Sequence, residues 1–312
     1  GEGPRAYLDA ANIVNIAKKE GCWGIAPGYG FLSEDAGFVR LCENAGIVFI
    51  GPSSEQLAQL GDKMSAKLLA ADAGIPVLDS TKTVLDRGSS ITDVLAFGKS
   101  LGPASKIILK AAAGGGGRGI RIIDDSTDEQ AIRLAYEACK REAHASFGNG
   151  SLFAERYLHG AKHIEVQLLG DGTGEVCHFW ERECSLQRRN QKVVEIAPSH
   201  SITPRLRRAI IGAAVKLGKA VKLRSLATIE FLVDAATEDY YFMEANPRIQ
   251  VEHTITEQIN GIDLVDLQLQ VALGRTLADL HITREPSPAR LTSIQLRINA
   301  ESFRPDGTTQ PE

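Results

Sequence analysis

Glu244-Ala245-Asn246-Pro247-Arg248-Ile249-Gln250-Val251-Glu252-His253 is the stretch around which this chain is organised. In an extended strand, successive side chains point to opposite faces. One face would then carry five polar side chains: Glu244, Asn246, Arg248, Gln250 and Glu252. Polar groups buried without partners cost free energy. We therefore expect this row to line a site in which a ligand supplies the partners.

Two strand-like runs precede this row and predict a hairpin. They are Thr228–Val233 and Tyr240–Glu244, and the polar segment between them suits a turn. A turn centred on Thr237 places Glu230 opposite Glu244. Opposed carboxylates repel unless a positive charge lies between them, and oxygen ligands suit Mg²⁺ or Mn²⁺. The alternative is a solvated glutamate pair in a register shifted by one residue.

The composition is that of an ordinary globular protein. The 312 residues are long enough for two or three domains, with 43% hydrophobic and 24% charged residues. A net charge of -4 gives no signal for nucleic acid or membrane surfaces, and no apolar run is long enough to span a membrane. No signal peptide opens the chain. The cysteines are scattered without a Cys-x-x-Cys pair, which favours a reducing compartment over disulfides or zinc. They are Cys22, Cys42, Cys139, Cys177 and Cys184.

The N-terminal part predicts a parallel α/β unit. A helix is expected over Tyr7–Glu20, a strand over Trp23–Ala26, a second helix from Ser33–Glu34 to about Asn44, and a second strand over Gly46–Gly51. Such alternation is typical of a parallel layer, although two strands are few for an open sheet. A helical stretch with Gly61-Asp62-Lys63 in its middle then forms a linker at about residues 58–77.

A small α+β lid is expected next. Its predicted order is a strand ending at Lys110, the glycine run 114–119, a strand at 120–123, a helix from Thr127 to about Ala145 and a strand over Leu152–Leu158. The glycine run is no Walker A loop, because no Lys-Ser/Thr follows it. A flexible hairpin there can bring backbone N–H groups over phosphates. A plain surface turn is the alternative.

The third unit is predicted to contain more strands. His163–Leu169 alternates, 171–174 is a hairpin turn, and Val176–Glu183 returns as an antiparallel strand. A basic loop over Cys184–Lys192 is expected to follow. Further predicted elements are a helix from Thr203 with Pro204 at its first position, the hairpin of Glu230 and Glu244, a helix over Asp263–Leu273 and a strand over Ser293–Ile298.

Individual side chains suggest a nucleotide site, and each has a simpler alternative. Lys63 and Lys110 suit phosphate oxygens, or are solvated lysines. Glu155-Arg156-Tyr157-Leu158 offers a backbone and carboxylate edge for an adenine and its ribose, or is only a strand and hinge. His163 is a hydrogen-bonding residue of its strand.

The segment after the third unit's first hairpin is rich in cations. Arg188, Arg189 and Lys192 form a solvated loop or, beside a row of acids, part of a mixed anion and metal site. Cys184 would act as a nucleophile only with a neighbouring base and a low pKa, and the sequence shows neither.

In combination, these segments resemble the biotin carboxylase family of ATP-grasp enzymes, and the resemblance covers nearly the whole chain. A single one of these motifs is not specific, because short motifs occur by chance, but their ordered set is specific. The set comprises 27–34 (Pro-Gly-Tyr-Gly-Phe-Leu-Ser-Glu), Gly61-Asp62-Lys63, the glycine run, Glu155–Leu158, Glu183–Lys192 and Asn246–His253.

The resemblance implies a role for each matching residue. ATP contacts are implied for Lys63, Lys110, Gly116, Gly117, Glu155, Arg156, Tyr157, Leu158, His163, Gln187, Asn190, Glu230 and Glu244. Metal ligands are implied for Glu230, Glu244 and Asn246, and a bicarbonate pocket for Lys192, Arg248, Gln250 and Val251. Glu252 matches the base that deprotonates bicarbonate, and Arg297 matches the arginine that stabilises the biotin enolate. The implied catalytic set is Arg248, Glu252, Lys192 and Arg297.

Three departures from the family pattern stand out. A preceding strand–helix segment with an Asn-Arg-Gly-Glu motif is absent, and most members continue well beyond Arg297, whereas this chain stops at Glu312. Asn190 replaces a histidine, which is similar to the urea carboxylase branch, whereas 249–257 is more similar to pyruvate carboxylase. Ala26 replaces a histidine before Pro27.

The resemblance implies an α/β (α+β) ATP-grasp fold in four segments. These are a partial N-terminal α/β domain (1–57), a helical linker (58–77), a lid (78–157) and an incomplete mixed-sheet catalytic domain (158–312). It implies an ATP-dependent ligase that uses ATP, Mg²⁺ or Mn²⁺, and biotin as carboxyl acceptor. Implied partners are a biotin carboxyl carrier domain, a carboxyltransferase domain, bicarbonate and a second copy in a homodimer, with no nucleic acid and no membrane.

Two other functions remain open from the sequence. One is a carbamoyl-phosphate-type ATP-grasp ligase, and the other is a truncated, non-catalytic nucleotide-binding or assembly module. The expected location is the cytoplasm, or the mitochondrial matrix if a transit peptide has been removed. The sequence does not name the final carboxyl acceptor among pyruvate, urea and acyl-CoA.

Overall fold

The protein is described by a computed structural model that covers residues 3–81, 91–103, 105–112, 119–188, 190–282, 286, 291–304 and 309–311. Helices and strands alternate along it, and the expected α/β class is confirmed. Residues 114–118 of the predicted glycine run, including Gly116 and Gly117, lie outside the described residues, as does Arg189.

The N-terminal unit is a pair of parallel strands packed against helices. It contains a 3-10 helix (Gly3–Leu8), α1 (Ala10–Lys19), β1 (Gly24–Ile25), α2 (Ala36–Asn44) and β2 (Val48–Phe49). Gly24 pairs with Val48 in parallel, as the alternating pattern predicts. The first two helices begin later than predicted, because Asp9 and Asp35 accept hydrogen bonds from the backbone N–H three residues on and so cap α1 and α2.

Two helices, α3 (Ser54–Gly61) and α4 (Lys63–Asp72), replace the single helical stretch expected here. Asp62 separates them, since its extended backbone ends α3 and its carboxylate accepts a 2.8 Å hydrogen bond from Ser65 N. This N-cap places Lys63 at the first position of α4.

The small unit has a three-stranded antiparallel sheet under two helices. Its elements are α5 (Ile91–Leu101), β3 (Ile107–Ala111), β4 (Ile120–Ile123), α6 (Glu129–Phe147) and β5 (Leu152–Arg156), with strand order β4-β3-β5. The predicted strands and α6 are present, whereas α5 was not predicted. Val94 of α5 and Ile132 of α6 are fully buried against Ile107, Leu109 and Leu152 of the sheet.

The large sheet has six strands in the order β10-β9-β6-β7-β8-β11. Its strands are β6 (Lys162–Asp171), β7 (Val176–Arg188), β8 (Gln191–Ala197), β9 (Arg224–Val233), β10 (Tyr240–Asn246) and β11 (Ser293–Leu296). Each described pairing is antiparallel, rather than mixed as expected. Hairpins join most successive strands, and a hairpin connection makes neighbours antiparallel.

Helices cover the large sheet on both sides. They are α7 (Pro204–Ala220), α8 (His253–Asn260) and α9 (Leu264–Ala272), and a short hairpin of β12 (Glu301–Phe303) and β13 (Thr309–Pro311) follows near the C-terminus. The predicted apolar face of α7 is buried, with Thr203 as its cap and Pro204 at its first turn. No helix in the described ranges is long and apolar enough to cross a membrane.

Two predicted segments differ from the structure. The expected basic loop over Cys184–Lys192 is a hairpin, because β7 extends to Arg188 and β8 begins at Gln191. Asn190 takes a positive φ of 60° in its turn, a conformation that asparagine tolerates better than most residues. The polar row does not run extended to Glu252, since β10 ends at Asn246 and Pro247 has no N–H with which to continue the ladder.

Candidate active site

A cavity of about 1030 Å³ lies between the small unit and the large sheet. Most of the predicted site residues line it, although they come from elements far apart in sequence. They are Lys63, Lys110, Arg156, Tyr157, Leu158, His163, Gln187, Asn190, Lys192, Glu230, Glu244, Asn246, Arg248, Gln250, Val251, Glu252 and Arg297. Glu155 is buried behind this wall and does not line the cavity.

Lys192 lines the cavity and contacts three buried acids. Its Nζ donates to Glu165 Oε2 at 2.5 Å, to Glu252 Oε1 at 2.7 Å and to Glu230 Oε1 at 3.0 Å. Burial would lower the pKa of Lys192, but these carboxylates hold it well above its ordinary value. The lysine is therefore a fixed cation that three acids share, and we call these four residues the Lys192 cluster.

The cluster depresses the pKa values of its acids. Burial raises the pKa of Glu252, but Lys192 and Arg182 lower it by more, so that the pKa is about 2. Glu230 is affected in the same way: Lys192 and His163 outweigh burial and hold its pKa well below the usual range. Both carboxylates are thus ionised at neutral pH.

Arg182 supports the cluster from beneath. It is fully buried, and it donates to Glu165 at 2.6 Å and to Gln250 at 2.8 Å. The remaining acceptors are the side chains of Gln167 at 2.8 Å, Thr256 at 3.0 Å and Thr228 at 3.2 Å. A guanidinium has five N–H donors, so these contacts fix one orientation for both Glu165 and Gln250.

Arg297 joins the cluster from the edge of the large sheet. Its Nη2 donates to Glu252 Oε2 at 2.9 Å, and its Nε donates to Glu195 Oε1 at 2.6 Å. Its backbone N–H also donates to Val193 O at 2.9 Å. Its side chain lines the cavity and is 31% exposed. Arg297 can therefore contact a molecule that enters from solvent while it touches the buried acid.

Arg248 links the N-terminal unit to this site. Its Nε lies 3.0 Å from Glu34 Oε1, and its Nη2 donates to Asn246 Oδ1 at 3.1 Å. Burial raises the pKa of Glu34, although Arg248 opposes that shift. The predicted loop of residues 27–34 thus contributes a carboxylate to the site.

Glu230 and Glu244 lie opposite each other in the β9–β10 pairing, as the hairpin predicts. Glu230 Oε1 accepts from Asn246 at 2.9 Å and from Gln250 at 3.0 Å, and His163 Nε2 is 2.8 Å from Oε2. Glu244 faces the cavity, with Lys63 Nζ at 3.6 Å.

The donor set suits a hard divalent cation. Glu230, Glu244 and Asn246 offer carboxylate and amide oxygens at one wall of the cavity, and Mg²⁺ prefers oxygen ligands. Among the described residues, the closest groups of potential ligands are instead His163 with Glu165 and Glu230, and Glu165 with Cys184 and Glu252. Both groups include acids that already share the ammonium of Lys192.

The opposite wall of the cavity comes from the small unit. Lys110 Nζ is 2.5 Å from Glu155 Oε2, and Lys67, a residue not predicted for the site, donates to Glu155 Oε1 at 2.6 Å. On the side of the large sheet, Gln187 Nε2 of β7 lies 2.9 Å from His163 Nδ1 of β6. Arg156 sits over the ring of Tyr241 at 5.8 Å, close to the backbone of Tyr157 and Leu158.

Cys184 is not a nucleophile. It is fully buried, and burial together with Glu165 raises its pKa well above the usual value. A neutral, inaccessible thiol does not attack a substrate.

Sequence reasoning missed five polar residues that hold the predicted ones in place: Lys67, Glu165, Arg182, Glu195 and Glu34 as a partner of Arg248. Glu165 lies between Ile164 and Val166 in a strand that was predicted, and a charge between apolar strand neighbours is a usable signal for a buried polar network. Arg182 carries no such signal, because both of its neighbours in the chain are glutamates. Lys67 has no comparable signal, because its helix also carries exposed polar residues.

Comparisons with known proteins agree with this geometry. Residues 62–280 match the family model of the carbamoyl-phosphate synthase L chain, ATP binding domain, and residues 1–57 match that of the biotin carboxylase, N-terminal domain. Pyruvate carboxylase of Aspergillus terreus is 48% identical over 305 residues, which are 96% of this chain and 25% of that protein.

Two solved structures share the fold. The biotin carboxylase of Campylobacter jejuni in complex with β-γ-ATP has a TM-score of 0.88 and 37% identity, covering 98% of this chain and 66% of that one. The biotin carboxylase domain dimer of Hydrogenobacter thermophilus 2-oxoglutarate carboxylase, with MgADP, ADP and bicarbonate, has a TM-score of 0.88 and 42% identity, covering 96% and 64%.

Proposed function

Because this chain belongs to the biotin carboxylase family of ATP-grasp proteins, we propose that it carboxylates biotin with bicarbonate in a reaction that consumes ATP and requires Mg²⁺ or Mn²⁺. One observation carries the proposal: a single cavity joins cations suited to nucleotide phosphates with a second group of cations around an ionised acid. Lys63 and Lys110 belong to the first group, and Lys192, Arg248 and Arg297 to the second.

In the first step, bicarbonate attacks the γ-phosphate of ATP. A bond forms between a bicarbonate oxygen and phosphorus, the bond to the β-phosphate oxygen breaks, and ADP leaves as carboxyphosphate forms. Lys192, Arg248, Gln250 and Val251 hold the bicarbonate in this proposal. Negative charge develops on the transferred phosphoryl group. Fixed cations lower the barrier because they stabilise this charge without any reorganisation of solvent.

Glu252 accepts the proton of bicarbonate. It is ionised, as a base must be, but a carboxylate with a pKa of about 2 is a weak base. Lys192 and Arg182 cause that low value. Lys192 contacts one oxygen of Glu252, and Arg297 contacts the other. A bound anion shares those cations, so we expect the pKa of Glu252 to rise when bicarbonate binds.

In the second step, the bond between the carboxyl carbon and the phosphate oxygen of carboxyphosphate breaks, and inorganic phosphate leaves with the proton of the ureido nitrogen of biotin. A bond between that nitrogen and the carboxyl carbon forms, which gives carboxybiotin. Arg297 stabilises the negative charge of the biotin enolate. It is suited to this role because its planar guanidinium lines the cavity, stays partly exposed and pairs well with an oxyanion.

The nucleotide would occupy the other end of the cavity. We assign Lys63, Lys110, Gly116 and Gly117 to its phosphates, and the remaining ATP contacts to the backbone edge 155–158, His163, Gln187, Asn190, Glu230 and Glu244. Glu230, Glu244 and Asn246 would hold the metal ion, which offsets phosphate charge when it is bound. The carboxylate of Glu155 acts through Lys110, since it does not line the cavity.

The remaining assignments follow from the same proposal. We divide the chain into the N-terminal domain 1–57, a linker 58–77, a lid 78–157 and a catalytic domain 158–312. Its partners would be a biotin carboxyl carrier domain, a carboxyltransferase domain and, in a homodimer, a second copy. All five cysteines are unpaired, which fits the cytoplasm or the mitochondrial matrix.

Bicarbonate-dependent ATP cleavage, measured with and without free biotin, tests the proposal. We expect cleavage that biotin stimulates. The match to the carbamoyl-phosphate synthase family model favours a second candidate, a carbamoyl-phosphate-type ligase, which would cleave ATP with bicarbonate but show no stimulation by biotin. No cleavage at all would indicate a nucleotide-binding or assembly module.

A further inference from the structure

Glu155 is shared by two lysines from different parts of the chain. Lys67 of α4 donates to its Oε1 at 2.6 Å, and Lys110 of β3 donates to its Oε2 at 2.5 Å. The Lys67 and Glu155 side chains are each 9% exposed, and that of Lys110 is 16% exposed. Each carboxylate oxygen thus has its own ammonium, and the three charges sum to one positive charge.

The three side chains differ in their position relative to the cavity. Lys110 lines the cavity, whereas Glu155 and Lys67 lie behind it. In the pairing of β3 with β5, Ile108 lies opposite Glu155 and Lys110 opposite Phe153. Lys110 and Glu155 are therefore diagonal neighbours on one sheet face. Lys67 contacts the carboxylate oxygen of Glu155 that Lys110 does not contact, and it does not line the cavity.

A lysine beside a buried carboxylate is a poor phosphate ligand if it is the only counter-charge. The pair would be neutral, and an anion that approached Lys110 would also be repelled by Glu155. A second cation behind the carboxylate removes that repulsion. Burial would raise the pKa of Glu155, but Lys110 and Lys67 hold it below its usual value. Burial also lowers the pKa of Lys67, and Glu155 opposes that shift.

We propose that Lys67 is a positioning residue for the nucleotide: it neutralises Glu155 from behind, so that Lys110 presents an uncompensated positive charge to a phosphate group. The inference rests on the proposed ATP site. It adds a residue that does not touch the cavity, on a helix of the linker, to the machinery that sets phosphate affinity.

Binding of ATP and of adenosine to the purified chain, measured by calorimetry, tests this role. We expect Lys67→Met to weaken ATP binding about tenfold and adenosine binding by less than about twofold, because adenosine has no phosphate. Lys67→Arg keeps the charge and should bind ATP within about twofold of wild type.

A double-mutant cycle with Glu155→Gln makes the test specific. When residue 155 is neutral, Lys110 needs no second counter-ion, so adding Lys67→Met should change ATP affinity by less than about twofold. This double variant has no charge at either of the two most buried positions and leaves Lys110 facing the cavity, which keeps the comparison available if Lys67→Met alone is poorly folded. The ATP affinity of the double variant is compared with that of Glu155→Gln and not with that of the wild type.

Several outcomes would overturn the inference. Equal weakening of ATP binding and adenosine binding would show that the role of Lys67 is merely structural. An unchanged ATP affinity in Lys67→Met would show that Lys67 has no role in nucleotide binding. A tenfold loss that persists in the Glu155→Gln background would show that Lys67 does not act through Glu155. If the wild-type chain itself binds no ATP, the proposed function fails first and this inference falls with it.

Discussion

Arg297 donates a 2.9 Å hydrogen bond from Nη2 to Oε2 of Glu252. The arginine assigned to the biotin enolate and the acid assigned to bicarbonate deprotonation are therefore in direct contact. The other oxygen of Glu252 accepts from Lys192 at 2.7 Å. One carboxylate thus connects the groups proposed for both steps, and its substitution should affect both.

Arg297→Ala should separate carboxylation from nucleotide binding. We expect the rate of biotin carboxylation to fall about 100-fold, the scale for loss of one oxyanion-stabilising donor, and the ATP dissociation constant to change by less than about twofold. Carboxylation assays and ATP titrations measure the two effects. Arg208→Ala, at an exposed position of α7, is the control. Equal losses of carboxylation and ATP binding would contradict the enolate role.

Glu244→Gln should weaken nucleotide binding only when a divalent cation is present. The substitution removes one negative charge from the proposed metal ligands, and we expect ADP affinity to fall about tenfold with Mg²⁺ and by less than about twofold in EDTA. Titrations of ADP in the two buffers provide the measurement. Glu55→Gln, on the exposed side of α3, should have no effect in either. A loss of the same size in EDTA would exclude Glu244 as a metal ligand.

Lys192→Met should destabilise the fold. It leaves Glu165, Glu230 and Glu252 buried without their shared ammonium, and breaking a buried ion pair costs about 3–5 kcal/mol. Urea unfolding at neutral pH measures the loss. The loss should shrink at lower pH, because the orphaned carboxylates then take up protons. Lys219→Met on the exposed end of α7 should cost little, and a loss independent of pH would argue against charge as its cause.

Glu252 should make the stability of the protein fall in acid. The pKa of Glu252 is about 2 in the folded chain and 4.5 ordinarily. Its contribution to the free energy of unfolding is therefore complete when the pH is above the ordinary pKa, and it is lost as the pH falls through the pKa of the folded chain. The difference corresponds to about 3 kcal/mol at neutral pH. Glu252→Gln cannot titrate, so the difference in free energy of unfolding between wild type and variant should narrow from about pH 6 to about pH 3. A constant difference would refute this assignment.

Local signals allowed much of the fold to be predicted. Glu230 faces Glu244 as expected, although the pairing that leaves the turn shifts by one residue between Phe242 and Glu244. Thr203 and Pro204 begin a helix because one caps it and the other needs no N–H partner. These features depend on residues a few positions apart, which the sequence shows directly.

Other features depend on distant residues and could not be predicted. The acceptors of Arg182 lie between 15 and 74 residues away in the chain, and the contact of Lys67 with Glu155 spans 88. The β7–β8 hairpin resembled a solvated loop because its tip is basic. The prediction of an extended row up to Glu252 was wrong beyond Pro247, yet Asn246 and Gln250 still converge on Glu230.

The five-fold bonding of Arg182 has an evolutionary consequence. Each of its acceptors is a side chain, namely Glu165, Gln167, Thr228, Gln250 or Thr256. Replacement of any one by an apolar residue leaves a buried N–H without a partner, at a cost of about 1–3 kcal/mol. Descendants of this sequence should therefore either keep all six residues or exchange Arg182 together with several of its acceptors, so these positions should covary as a group.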